Sequence, residues 1–132
     1  MQPEHSLSPT MDRLPVVVKT LASADVPRWD AFVRRCPEAT FFHLAAWQRI
    51  TEQIFRHRTF FLFAERAGEI VAVLPLAEVK SRLFGHALTS LPFCVYGGIA
   101  ADADAGQEAI ERLEVEADAL ARKLGVQHLE YR

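Results

Sequence analysis

The sequence predicts a mixed α/β layer protein, a sheet flanked by helices with the element order β-α-α-β-β-β-α-β. Three observations predict it. Two apolar runs, Thr59 to Glu65 and Glu69 to Lys80, flank the turn signal Arg66-Ala67-Gly68, which is the pattern of an antiparallel hairpin. Ile110, Leu113, Ala117, Leu120 and Leu124 step by three and four, marking one face of a helix. The run Val126 to Arg132 follows that helix at once, and a helix returning the chain to a parallel strand is the usual right-handed crossover.

Each element has its own justification. Met1 to Pro15 is polar and carries three prolines, so it reads as a flexible tail ahead of a domain over residues 16–132. Val16 to Leu21 is a β-branched run and predicts the first strand. Asp25 and Pro27 start a helix, because proline fits the first turn and a carboxylate takes up orphan amides. Trp29, Phe32 and Val33 form its apolar face, and Pro37 stops it. Leu44, Trp47, Ile50 and Ile54 predict a second amphipathic helix, capped by Thr40 or His43.

The hairpin contains Pro75, which cannot donate to a ladder and so marks an edge, a bulge or a bend. Ala87 to Leu91 is a further strand, broken by Pro92. The last helix is acidic at its start (Asp102, Asp104, Glu108, Glu111) and basic at its end (Arg122, Lys123), as the helix dipole favours. Gly125 is its C-terminal cap.

Composition excludes several classes. With 132 residues, half of them hydrophobic and a formal charge of −2, the chain can build a core. It lacks both the basic face of a general nucleic-acid binder and the composition of a disordered chain. No run approaches a membrane span, and the start lacks the order of a secretion signal. Cys36 and Cys94 belong to no CxxC or CxxH pair and read as free thiols of a cytoplasmic protein.

The candidate chemistry is sparse. No His pair at i, i+4 and no Cys-His spacing suits a metal, so none is expected. Ser81, Ser90 and Cys94 are nucleophiles by type only, outside any G-x-S-x-G elbow. Lys80 and Arg82 form a basic patch at a strand end, suited to a phosphate or carboxylate. Tyr96-Gly97-Gly98 brings a phenol beside backbone amides that a ligand can approach closely. His43 and Trp47 bracket the start of the second helix and complete the candidate substrate-binding set, with no catalytic residue assigned.

Phe41-Phe42-His43 with Trp47, Phe55-x-His57, Phe63-Ala64-Glu65, Leu74-Pro75-Leu76, Val79-Lys80-Ser81-x-Leu83-Phe84-Gly85, Ser90-x-Pro92-Phe93 and Tyr96-Gly97-Gly98 occur in that order. Together they resemble the FemAB-like proteins associated with exosortase (PEP-CTERM) systems, within the FemAB and GNAT-fold acyltransferases. The resemblance covers roughly residues 16 to 132. It implies an acyl-CoA N-acyltransferase (GNAT)-like fold and the first half of a tandem of two such lobes, apparently truncated. It further implies aminoacyl or acyl transfer to an amine in cell-envelope or exopolysaccharide biosynthesis. Aminoacyl-tRNA or acyl-CoA would be the donor, with no bound cofactor. The glycine-rich pyrophosphate loop of CoA-using GNATs is absent. The alternatives are a non-catalytic binding module of the same fold and a CoA-dependent GNAT N-acyltransferase. A last strand with an open edge predicts a homodimer or poor solubility.

Overall fold

The hairpin organises the sheet. In the computed structural model, which describes residues 14–81, 85–90, 98–103 and 105–131, β2 (Arg58–Arg66) and β3 (Glu69–Ser81) pair antiparallel. Ala67 and Gly68 between them have φ of 56° and 78°. Two central residues at positive φ are what a type I′ turn requires, and its twist matches that of the strands. β1 (Val16–Thr20) adds to the outer edge of β2, and β4 (Gly85–Ser90) adds to β3. β6 (His128–Glu130) joins β4 in parallel, giving the order β1-β2-β3-β4-β6.

Ala100–Ala101 form a further short strand, β5, which pairs with Ala72 and Val73 of β3. This strand is absent from the sequence-based element order, and tertiary contacts define it. The amide of Ala101 donates to Glu38 Oε1 at 3.0 Å, and Cys36 Sγ donates to the Ala101 carbonyl at 3.5 Å. The outer edge of β5 is thus covered rather than left open. Cys36 is a buried free thiol; Cys94 lies outside the described residues.

Side chains alternate across the sheet, so it buries two separate cores. One face carries Phe61, Phe63, Val73 and Ala100 beneath α1 (Val26–Arg35) and α2 (Ala46–Gln53). Trp29 anchors this side, stacked on Phe61 with centroids 5.4 Å apart and edge-on to Phe63 at 6.3 Å. The other face carries Leu62, Ala64, Ala72, Leu74, Leu76 and Leu88 beneath α3 (Gly106–Leu124). Ala109 and Ala117 flank Leu113 on the buried side of α3, and such small residues let the helix lie close to the strands. Gly125, at φ 70°, closes α3 in the left-handed cap expected of it.

Three boundaries differ from the sequence reading. Ile54 extends the apolar spacing of α2, but the helix ends at Gln53, and Ile54 is 68% exposed while Thr51 is buried. The third long strand runs Gly85–Ser90, because its pairing to β3 begins at Ser81↔Gly85. The last strand shortens to His128–Glu130 because Val126 still donates to the α3 carbonyl of Ala121. Most of the tail, residues 1–13, lies outside the described residues. No helix among the described residues is long and apolar enough to cross a membrane.

Candidate functional site

In open sheets, ligands bind beyond the carboxyl ends of parallel strands. The parallel pair here is β4–β6, and its last register pair is Thr89↔Glu130. Among the described residues, β3 pairs on its β4 side at Leu76↔Ser90 and next at Val73↔Ala100 of β5. Leu74 and Pro75 lie between these pairs.

Thr89 stands at this end of the parallel pair. It is 3% exposed, and its Oγ1 has no hydrogen-bond partner among the described residues. Buried polar atoms are almost always satisfied, so an orphaned hydroxyl here points to a ligand contact. Ser90 beside it is fully buried. Tyr131 follows Glu130 and so leaves the sheet on the α3 face, opposite Thr89, where it is partly buried. Its burial, with the charges of Asp118 and Glu114, pushes the phenol up to about 12, so it holds its proton throughout the physiological range.

His43 ties the segment before α2 to the far side of the opening. Its Nδ1 accepts from the Thr40 amide at 3.0 Å, which leaves Nε2 as the donor to the Gly98 carbonyl, also at 3.0 Å. Burial pushes the imidazole below its usual value, and the Gly98 carbonyl opposes that push. A proton on Nδ1 would set two donors face to face, so the ring is held neutral. Trp29 Nε1 donates to the His43 carbonyl at 2.7 Å. Trp47 packs against Phe42 and Phe41, with centroids 5.4 and 6.0 Å away.

The sequence-derived candidates therefore separate. His43, Gly98 and, through Phe42, Trp47 belong to one neighbourhood beside the opening. Lys80 lies across from His86 at the other end of β3, four residues and roughly 13 Å from Leu76. Arg82, Tyr96 and Gly97 lie outside the described residues. Thr89 was missed as a candidate. Placing β4 and β6 in parallel register is the signal that would have found it, since it sets Thr89 at a strand end.

Two further features surround the opening. Thr59, Ala77, Thr89 and Glu130 form one row across the sheet. Thr59 accepts from Gln48 Nε2 at 3.1 Å and donates to Glu52. Gln48 and Glu52, with Asp30, line a cavity of about 660 Å3 between α1 and α2. At the start of α3, Glu108 sits in the first turn and Asp102 just before the helix. Arg66 donates to the Ala105 carbonyl at 3.1 Å and to Glu108 at 3.2 Å. Helix starts attract phosphates, but acidic side chains at this one oppose that attraction.

No protein-family model matches the chain, and no curated protein matches it by sequence. Solved structures do resemble it. A transcriptional regulator from Bacillus halodurans superposes with a TM-score of 0.65 at 15% identity, covering 89% of this chain and 81% of its own. A GNAT family acetyltransferase from Staphylococcus aureus superposes at 0.62 with 9% identity, covering 89% and 85%. The aminoglycoside N-acetyltransferase AAC(6')-Iy in complex with CoA superposes at 0.65 with 11% identity, covering 90% and 77%. The chain has the GNAT acetyltransferase fold, a mixed sheet of six strands flanked by helices.

Proposed function

We propose that the chain, over residues 16–132, is the first lobe of a FemAB-type N-acyltransferase. It would move an aminoacyl or acyl group from an activated ester to an amine. The observation that carries this reading is the buried, unpartnered Thr89 hydroxyl at the end of the parallel β4–β6 pair. The neutral amine attacks the donor's carbonyl carbon, forming the C–N bond and placing negative charge on oxygen. The Thr89 hydroxyl donates to that oxygen as the charge develops, a contact of the kind worth about 10²–10³ in rate. The tetrahedral species then expels the alcohol or thiol, and the proton lost by the amine balances the one the leaving group gains. Both ring nitrogens of His43 are committed, so it positions Gly98 rather than acting as the base. The amine acceptor enters from the α1/α2 side, whose lining carries the Asp30 and Glu52 carboxylates together with Arg49.

Aminoacyl-tRNA as donor, an envelope or exopolysaccharide precursor as acceptor, and a cytoplasmic setting rest on the ordered motifs. The acidic start of α3 supports a donor whose phosphates are not held at that helix. The CoA bound to AAC(6')-Iy favours an acyl-CoA donor as the second reading. The outer edge of β6 supports pairing with a second copy. The test is mass spectrometry of a primary-amine panel incubated with the chain and either alanyl-tRNA or acetyl-CoA. Transfer from alanyl-tRNA, reduced about 10²-fold in Thr89→Val, is expected. Transfer from acetyl-CoA alone would reassign the donor. Amine binding without transfer from either would make the domain a non-catalytic binding module.

A further inference from the structure

On the opposite face of the sheet from Thr89, from the next row out to the Ser81 end of β3, the structure gathers cations that the acyl-transfer reading does not use. Arg56, His57, Arg58, Glu78 and Lys80 line a cavity of about 290 Å3. Its carboxylate is already consumed. Glu78 is 5% exposed; its Oε1 accepts from Arg58 Nε at 2.7 Å, and its Oε2 meets His86 Nε2 at 2.5 Å. Arg56 and Lys80 make no hydrogen bond or close ion pair with a described residue, while the charge of Lys80 helps to keep Glu78 ionised. The formal charge of the lining is therefore positive, in a chain whose net charge is −2.

Two observations show that the site is built rather than a chance meeting of surface lysines and arginines. Arg56 has φ 61°, a left-handed conformation unfavourable for a residue with a Cβ, and such strain concentrates at functional positions. The His57 amide holds this connection by donating to the Thr51 carbonyl at 3.2 Å. Arg58 is fixed from two sides, by Glu78 and by the ring of Phe60, its guanidinium carbon lying 5.6 Å from the ring centroid. A second cavity of about 440 Å3 shares Arg56, His57 and Arg58 and adds Phe60, Thr59 and Glu52, whose carboxylate accepts from the Thr59 hydroxyl. It runs along the part of β2 that β1 leaves unpaired, since β1 pairs only with Leu62 to Arg66.

We infer that this end of the sheet is a binding site for a phosphomonoester. The phosphate sits among Arg56, Arg58 and Lys80, and the body of the molecule lies over Phe60. Two uncommitted cations beside a third held in place suit a small dianion better than a monoanionic carboxylate, because each added charge strengthens every charge-assisted bond. Arg58, Glu78 and Lys80 leave the sheet on the face opposite Thr89, so the phosphate site stands whether or not acyl transfer is found.

The test uses the full chain and calorimetric titration with inorganic phosphate, phenyl phosphate and benzoate at constant ionic strength. Saturable binding of phenyl phosphate below about 1 mM is expected, tighter than inorganic phosphate and far tighter than benzoate. Lys80→Met and Arg56→Gln should each weaken it about tenfold, as loss of one charge-assisted contact does. Lys19→Met, on the far edge strand, should leave it unchanged. Arg56 and Lys80 are exposed, so the variants should keep the parent's circular dichroism and melting curve. No saturable binding, equal loss in all three variants, or equal affinity for benzoate and phenyl phosphate would overturn the inference.

Discussion

Replacing His43 by asparagine isolates one contact of the opening. The asparagine Oδ1 occupies nearly the place of Nδ1 and can still accept from Thr40, but the shorter side chain cannot reach the Gly98 carbonyl 3.0 Å beyond Nε2. Gly98 is buried, so its carbonyl loses a partner that water does not replace. An orphaned buried acceptor costs about 1–3 kcal/mol, and the lost ring volume adds to it, for a total of about 2–4 kcal/mol. For a domain of this size that is a fall in Tm of roughly 6–15 °C. Urea unfolding at pH 7.5 reads the first quantity and calorimetry the second. His43→Gln is the complement, since its amide reaches toward Gly98 but deserts the Thr40 amide.

The pH dependence supplies an independent check. The folded imidazole titrates below the ordinary value of about 6.5, so below that pH the unfolded chain binds a proton that the folded chain refuses. Stability is therefore full above pH 6.5 and falls as pH drops toward the folded value. That part of the slope should vanish in His43→Asn. A variant within about 0.5 kcal/mol of the parent, or one that keeps the parent's slope between pH 7 and 5.5, would refute the clamp.

Trp29→Phe should cost about 2–3 kcal/mol by urea unfolding, because it orphans the His43 carbonyl and leaves a gap beside Phe61; a loss under half of that would contradict the anchor role. Glu65 is held below the usual carboxylate range by Lys19 and then Arg28, against the upward push of its burial. Its stabilisation is complete above about pH 4.3 and is lost as pH falls through its lower folded value. Glu65→Gln should accordingly flatten the acid limb of stability measured from pH 5 to 2. Ala67→Asn should stabilise by roughly 0.5–1 kcal/mol in thermal melts, since asparagine tolerates the left-handed first position of the hairpin turn; a lower Tm would show that the turn is of another type.

Elements whose pattern is local were legible. The spacing of Ile110 to Leu124 with Gly125 reports α3 because helix periodicity and capping depend on neighbours in sequence. The hairpin about Ala67-Gly68 was equally plain, because only a turn of positive φ joins two such runs so closely. The mixed α/β layering followed from the order of these pieces, and the family resemblance supplied the GNAT-type expectation.

The site was decided elsewhere. Ala100–Ala101 carry no strand pattern and become β5 only because Val73, Cys36 and Glu38 supply partners. His43 and Gly98 meet across 55 positions of chain, and nothing near either residue predicts it. Lys80 stood in one candidate set with the glycine turn, yet the antiparallel register of β3 and β4 carries it towards the other end of β3. Thr89 looked like an ordinary strand residue until the parallel β6 stopped beside it. Periodicity is set within a few residues, whereas register and strand ends are set by which distant amides find each other, and the chemistry of this protein sits at such ends.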